Sequence, residues 1–112
     1  MRDEEGFTLI EILAVVGIIG ILAGIAISQF AAYRDDSFCA RVMSDVKNTV
    51  AAAEYQYTET ENYDGITPVQ SDGVSVTVNA AGQTLTSVAG THADCSQGTY
   101  TFTSTNGTYG WQ

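Results

Sequence analysis

The chain has 112 residues, with 13 acidic and 4 basic side chains and a formal charge of −9. That length leaves room for one small domain beside any membrane segment. A surface so short of lysine and arginine repels phosphate, which excludes nucleic acid as the principal ligand, since affinity for it comes mainly from cations that neutralise the backbone.

Gly6-Phe7-Thr8-Leu9-Ile10-Glu11 leads into an uncharged run from Ile12 to Ile27. As a helix, Phe7 to Ile27 measures about 31 Å at ~1.5 Å per residue, enough to cross a hydrocarbon core of roughly 30 Å. Glu11 lies near one end of it. An ionised carboxylate in such a segment costs on the order of 2.5–3.5 kcal/mol and persists where it has a partner and a task. Two plainer readings compete: a secretory signal cut after Ala32, and a simple anchor. The run is longer than a signal core and follows Asp3, Glu4 and Glu5 beside a single Arg2. A simple anchor leaves Glu11 unexplained. Arg2 before the span and Arg34 after it leave its orientation undecided.

Helical character continues past the apolar run. From Gln29 to about Thr60 there is no proline or glycine, and Cys39, Val42, Met43, Val46, Val50, Ala53 and Tyr57 recur three or four residues apart. This is one stripe of an amphipathic helix, and it requires a partner surface. Joined to the apolar half it predicts a helix of roughly 54 residues, about 80 Å long. The remaining chain is too short to cover such a rod, so its N-terminal half is expected to protrude.

Asn62, Asp64-Gly65 and Pro68 end the helix and open a connecting loop. Val74 to Val78 alternates strictly, and Gln83 to Val88 follows the turn-like Ala80-Ala81-Gly82, which predicts a hairpin. Thr99 to Thr103 and Thr108 to Trp111 predict a second, joined through Asn106-Gly107. Val74, Val76, Val78, Tyr100 and Phe102 would line one sheet face and pack on the helical stripe. The expected class is α+β: a long N-terminal helix, apolar then amphipathic, on an antiparallel sheet of about four strands. Cys39 falls on the stripe and Cys95 between the hairpins, so a disulfide would pin that loop to the helix, as an oxidising compartment permits. Two buried free thiols are the alternative.

Gly6-Phe7-Thr8-Leu9-Ile10-Glu11, the apolar helix and Gln29-Phe30-Ala31-Ala32-Tyr33-Arg34 closely resemble the N-terminus of bacterial type IV pilins. The resemblance covers Gly6 to Tyr33 and implies four parts: residues 1–6 a leader, 7–28 a membrane and filament-core helix, 29–61 its amphipathic continuation, and 62–112 a globular head. It further implies that a prepilin peptidase of the inner membrane cuts between Gly6 and Phe7, that the new amino group on Phe7 is methylated, and that an inner-membrane platform assembles identical subunits into an extracellular filament. Cleavage would place a cation on Phe7 in the same dry layer as Glu11, and in the family that glutamate meets the amino terminus of a neighbouring subunit. The leader here is net acidic where family leaders tend to be basic, and Ser28 stands where many members have proline. Gly17, Gly20 and Gly24 each cost roughly 1 kcal/mol relative to alanine in a helix. Turns between Gly17 and Ser28 are therefore expected to open in a filament, though not in lipid. Gly20, Gly24 and Ser28 also form a small-residue row suited to close helix packing.

Phe30, Tyr33, Phe38, Tyr55, Tyr57 and Tyr63 lie along the rod or just beyond it, and ordinary packing between subunits is the expectation for them. No catalytic constellation is present. His92, Asp94 and Ser96 share a short segment without forming a triad pattern. Glu59, Glu61, Asp64 and Asp72 lack calcium-loop spacing and read as a solvated acidic edge, so no metal or cofactor is expected. Asn106-Gly107-Thr108 fits a glycosylation sequon but reads better as a turn. Two other functions share these features: a pseudopilin or minor pilin of a secretion or tip complex, and a membrane-anchored binding domain that never polymerises.

Overall fold

The computed structural model describes residues 5–112, so Met1 to Glu4 of the expected leader lie outside the described residues. One helix, α1 (Leu9–Thr60), is followed by strands β1 (Val74–Ala81), β2 (Thr84–His92), β3 (Tyr100–Thr103) and β4 (Thr108–Trp111). The chain forms two compact units, Met1–Tyr33 and Arg34–Gln112, and α1 contributes to both.

The first unit is helix from Leu9 onward, with Gly17, Gly20 and Gly24 inside it. Its apolar stretch is wholly exposed, and nothing lies within 4 Å of where a Cβ on any of these glycines would stand. Ser28 donates its hydroxyl to the Ile25 carbonyl at 3.0 Å, so the residue in the usual proline position adds a local bond to the helix.

In the second unit, α1 packs on a four-stranded antiparallel meander of order β1-β2-β3-β4. The fold is α+β. Val42, Val46, Val50 and Ala53 of the helix meet Val74, Val76, Leu85, Val88 and Tyr100 of the sheet, with Val78, Phe102, Trp111 and Met43 half-buried around them. The register sets Val78 opposite Val88, Val88 opposite Phe102, and Phe102 opposite Tyr109, which stacks one apolar row across all four strands. A bulge at Asn79/Ala80 precedes the turn at Gly82 (φ 55°), and Gly107 (φ 65°) turns β3 into β4. Asn106 Oδ1 accepts the Thr108 hydroxyl at 2.7 Å within that turn. Cys39 and Cys95 are joined by a disulfide with Cα atoms 4.9 Å apart.

The first hairpin is longer than the alternation predicts, running to Ala81 and resuming through His92, while Thr99 lies outside β3. Cross-strand pairing carries the ladder through residues of weak strand preference: Val74 opposes His92, and the Asn79 amide donates to Ser87 Oγ at 3.0 Å. The buried face of α1 also contains two polar residues outside the apolar stripe, Asp45 and Thr49. Both hold the 62–73 loop. Asp45 accepts the Ser71 N–H at 2.6 Å and the Ser71 hydroxyl at 2.9 Å, and Thr49 Oγ1 accepts the Val69 N–H at 2.9 Å. A loop over an apolar core must satisfy its backbone somewhere, and these side chains do it from the helix.

The helix crosses the sheet at Gly90. A Cβ there would lie 2.6 Å from Val46 Cγ2 and 3.2 Å from Val42 Cγ1. Gly90→Ala is therefore expected to destabilise the fold by about 1–3 kcal/mol through overpacking. Thermal unfolding of the detergent-solubilised chain measures this, and an unchanged midpoint would contradict the close crossing.

Candidate assembly site

The start of α1 is fixed by its first polar residues. Thr8 is the N-cap and Glu11 the third helical residue. The Glu11 N–H donates to Thr8 Oγ1 at 3.2 Å, while Glu11 Oε2 accepts the Thr8 N–H at 2.7 Å and the Thr8 hydroxyl at 3.0 Å. This is a reciprocal capping box, which satisfies two backbone donors that a helix start otherwise leaves open. Glu11 thus has a partner inside its own chain. The sequence signal, Thr-x-x-Glu before an apolar run, was present at Thr8, a residue that charge reasoning alone passes over.

Gly6 and Phe7 precede the helix in irregular backbone, and both are exposed, Phe7 to 86%. With Glu5 and Glu11 they line a shallow concavity at the helix start. The Gly6–Phe7 peptide bond is thus presented outside regular structure, as an enzyme that cuts the backbone requires. Farther along, Ala23, Ala26, Ile27 and Phe30 line an almost purely apolar groove on the exposed helix.

The aromatic residues divide. Tyr57 and Tyr63 stack at 4.6 Å, and Phe38 stacks on His92 at 4.5 Å. Phe30, Tyr33 and Tyr55 remain 64–69% exposed. The sheet has its own cluster, Tyr100, Phe102, Tyr109 and Trp111, with ring centroids 4.8–5.9 Å apart. Tyr63 also donates its hydroxyl to Glu54 at 3.2 Å, and burial followed by the nearby Glu54 charge raises its pKa.

His92, Asp94 and Ser96 form no catalytic relay. His92 Nδ1 accepts the Asp94 backbone N–H at 3.0 Å, and the Ser96 hydroxyl donates instead to Asp35 at 2.7 Å. Among the described residues no group of three or more His, Cys, Asp or Glu side chains is placed to hold a metal ion. The Asp35 carboxylate also accepts the Ser96 N–H at 2.8 Å, which brackets the disulfide loop to the helix. The Ser96 hydroxyl and then its N–H hold the Asp35 carboxyl below its ordinary value. A depressed carboxyl contributes stability above its unfolded value, about 3.9, and that contribution is lost as pH falls through the lower folded value. The gap in melting temperature between the wild type and Asp35→Asn is thus expected at neutral pH and expected to vanish in strong acid. A gap independent of pH would show that the carboxylate charge is not what matters.

These features define a class: an α+β head carried on a helix whose apolar half is wholly exposed and ends in a capped acid. Comparison with known proteins agrees. Residues 1–27 match the family model for the prokaryotic N-terminal methylation motif. The chain is 48% identical over 54 residues to a fimbrial protein of Pseudomonas aeruginosa, covering 48% of this chain and 35% of that protein. It is 51% identical over 51 residues to a type IV major fimbrial protein of Dichelobacter nodosus, covering 46% and 33%. It is 36% identical over 84 residues to the type IV major alpha-pilin of Moraxella bovis, covering 75% and 50%. Over the matched stretches the chain is thus similar to type IV fimbrial proteins and pilins. It spans about a third to a half of the length of these relatives. No solved structure matches it.

Proposed function

We propose that this chain is a structural subunit that polymerises into a type IV pilus, with the apolar helices bundled inside and the sheets outside. The exposed apolar half of α1 carries the reading: Leu9 to Ile27 offers side chains such as Leu9 (78%), Ile21 (68%) and Ile27 (72%) to the surroundings, and none of that stretch is buried by the chain itself. Such a surface persists only in lipid or against other apolar helices. The major-pilin names of its relatives favour the second destination. On this reading the subunit waits in the inner membrane, prepilin peptidase cuts at Gly6–Phe7, Phe7 becomes N-methylated, and the assembly platform moves the helix into the filament. Glu11 then pairs with the amino terminus on Phe7 of a neighbouring copy.

Negative-stain microscopy of sheared surface material, with mass spectrometry of its main band, tests this. Long abundant filaments whose subunits begin at methyl-Phe7 are expected. A chain confined to membranes and still beginning at Met1 would overturn the proposal in favour of a non-polymerising anchored domain, and scarce incorporation into filaments built from another subunit would favour a minor pilin.

A further inference from the structure

Of the chain's four asparagines, three are restrained by the fold. Asn48 lies inside α1, so the amide that follows it belongs to the helix. Asn79 is held in β1, where its side-chain amide donates to Ser87 Oγ at 3.0 Å. Asn62 Oδ1 accepts the Asp64 N–H at 2.6 Å, but the amide that follows it, on Tyr63, is committed to the Gly82 carbonyl at 2.8 Å. Asn106 lacks such a restraint. It is followed by Gly107, both residues are exposed, and among the described residues no acceptor takes the Gly107 N–H. A Cβ at Gly107 would meet nothing within 4 Å, and glycine sets no side chain beside its own nitrogen.

The carbonyl partner is prepared as well. Asn106 Oδ1 accepts the Thr108 hydroxyl at 2.7 Å and the Thr108 N–H at 3.3 Å. Two donors on one amide oxygen draw electron density from Cγ, and they stabilise the negative charge that forms on that oxygen when a nucleophile adds to the carbon. An uncommitted backbone nitrogen and a polarised carbonyl carbon on adjacent residues are the two reactants of a ring closure.

We infer that Asn106 is a site of spontaneous modification, at which the Gly107 nitrogen attacks Asn106 Cγ and the side chain is deamidated. Hydroxide removes the proton of the Gly107 N–H, the nitrogen bonds to Cγ, and the resulting oxyanion collapses with breakage of the Cγ–Nδ2 bond. Ammonia leaves with a proton taken from water. The five-membered imide then adds one water at either carbonyl and opens to aspartate or to isoaspartate, in which the backbone runs through the former side chain. One water is consumed and one ammonia released, with no change of oxidation state.

Either product alters the tip of the second hairpin. Aspartate adds a carboxylate to a chain whose formal charge is already −9. Isoaspartate lengthens the backbone by a methylene in a turn that relies on Gly107 at φ 65° and on the pairing of Thr103 with Thr108. Phe102 and Tyr109, with ring centroids 4.8 Å apart, are the next pair along the ladder. The exposed end of the head thus changes with the age of the molecule, whether or not the chain polymerises.

The test ages the purified, detergent-solubilised full chain at mildly alkaline pH, then digests it and reads the peptides by mass spectrometry. The peptide holding Asn106 is expected to gain the mass of OH exchanged for NH2 and to split into two chromatographic forms, while Asn48, Asn62 and Asn79 stay intact. Thr108→Val keeps a branched strand residue but removes the hydroxyl, and it is expected to slow the change roughly tenfold, less than a buried oxyanion donor would because water takes its place. Thr108→Ser restores the hydroxyl and is expected to keep the wild-type rate. An Asn106 that persists in the aged wild type, or one that changes no faster than the other three asparagines, would overturn the site whatever the variants do. A Thr108→Val chain that reacts as fast as wild type, or a Thr108→Ser chain as slow as Thr108→Val, would overturn the part assigned to the hydroxyl.

Discussion

Glu11→Ala is expected to leave the subunit in the membrane and reduce filaments roughly a hundredfold. A carboxylate at this depth costs on the order of 2.5–3.5 kcal/mol, which is about two decades in an equilibrium constant, and in the proposed filament docking against a neighbour's cation recovers that cost only if the carboxylate exists. The capping box complicates the argument. Glu11 already accepts two hydrogen bonds from Thr8, so docking exchanges one partner for another rather than rescuing a bare charge. Thr8→Ala separates the possibilities. It removes the reciprocal cap, at a cost of about 0.5–2 kcal/mol to the helix start, yet retains the carboxylate. If Glu11 acts across subunits, Thr8→Ala still assembles and Glu11→Ala does not; if Glu11 is only a helix cap, the two variants fail to the same degree.

Replacing both Cys39 and Cys95 by serine is expected to cost the head about 2–5 kcal/mol, within the range that closing so long a loop provides. For a domain of this size each kcal/mol shifts the melting temperature by roughly 4–8 °C, so a fall of about 10 °C or more is expected. The core explains the size of the effect. Its largest fully buried side chains are valines and a threonine, with no leucine, isoleucine or phenylalanine among them. Thermal melts of the solubilised wild type, with and without reductant, should reproduce the difference seen in the double variant. Equal melting temperatures would mean that the Asp35–Ser96 bracket holds the 93–99 loop without help.

The helix and sheet were legible because their patterns are local. The three- and four-residue spacing from Cys39 to Ala53 and the alternation from Val74 to Val78 each report one buried face, and Asn106-Gly107 marks its own turn. What escaped depends on partners far away in sequence. Asp45 and Thr49 lie beside the apolar stripe and read as solvated polar positions until Ser71 and Val69 arrive above them. Asp35 reads as one more surface acid, yet its partner Ser96 is sixty-one residues distant. The capping box was a different kind of miss. It lies wholly within four residues, but the same carboxylate that closes it also carries a charge whose cost calls for a partner, and Thr8 satisfies only its hydrogen bonds. The proposed pairing of Glu11 across subunits concerns two chains, and no single sequence specifies the distance between them.

The sulfur bridge also has a mechanical meaning. It joins positions separated by 56 residues, and between them lie the rest of the amphipathic stripe after Cys39 and both strands of the first hairpin. Tension applied along the backbone from either side enters at one cysteine and leaves at the other, so the enclosed segment carries none of it. Only the stretches outside the bridge can lengthen under load. A filament of such subunits would therefore yield at its helical stem, at contacts between copies or at β3 and β4 before the enclosed segment unravels.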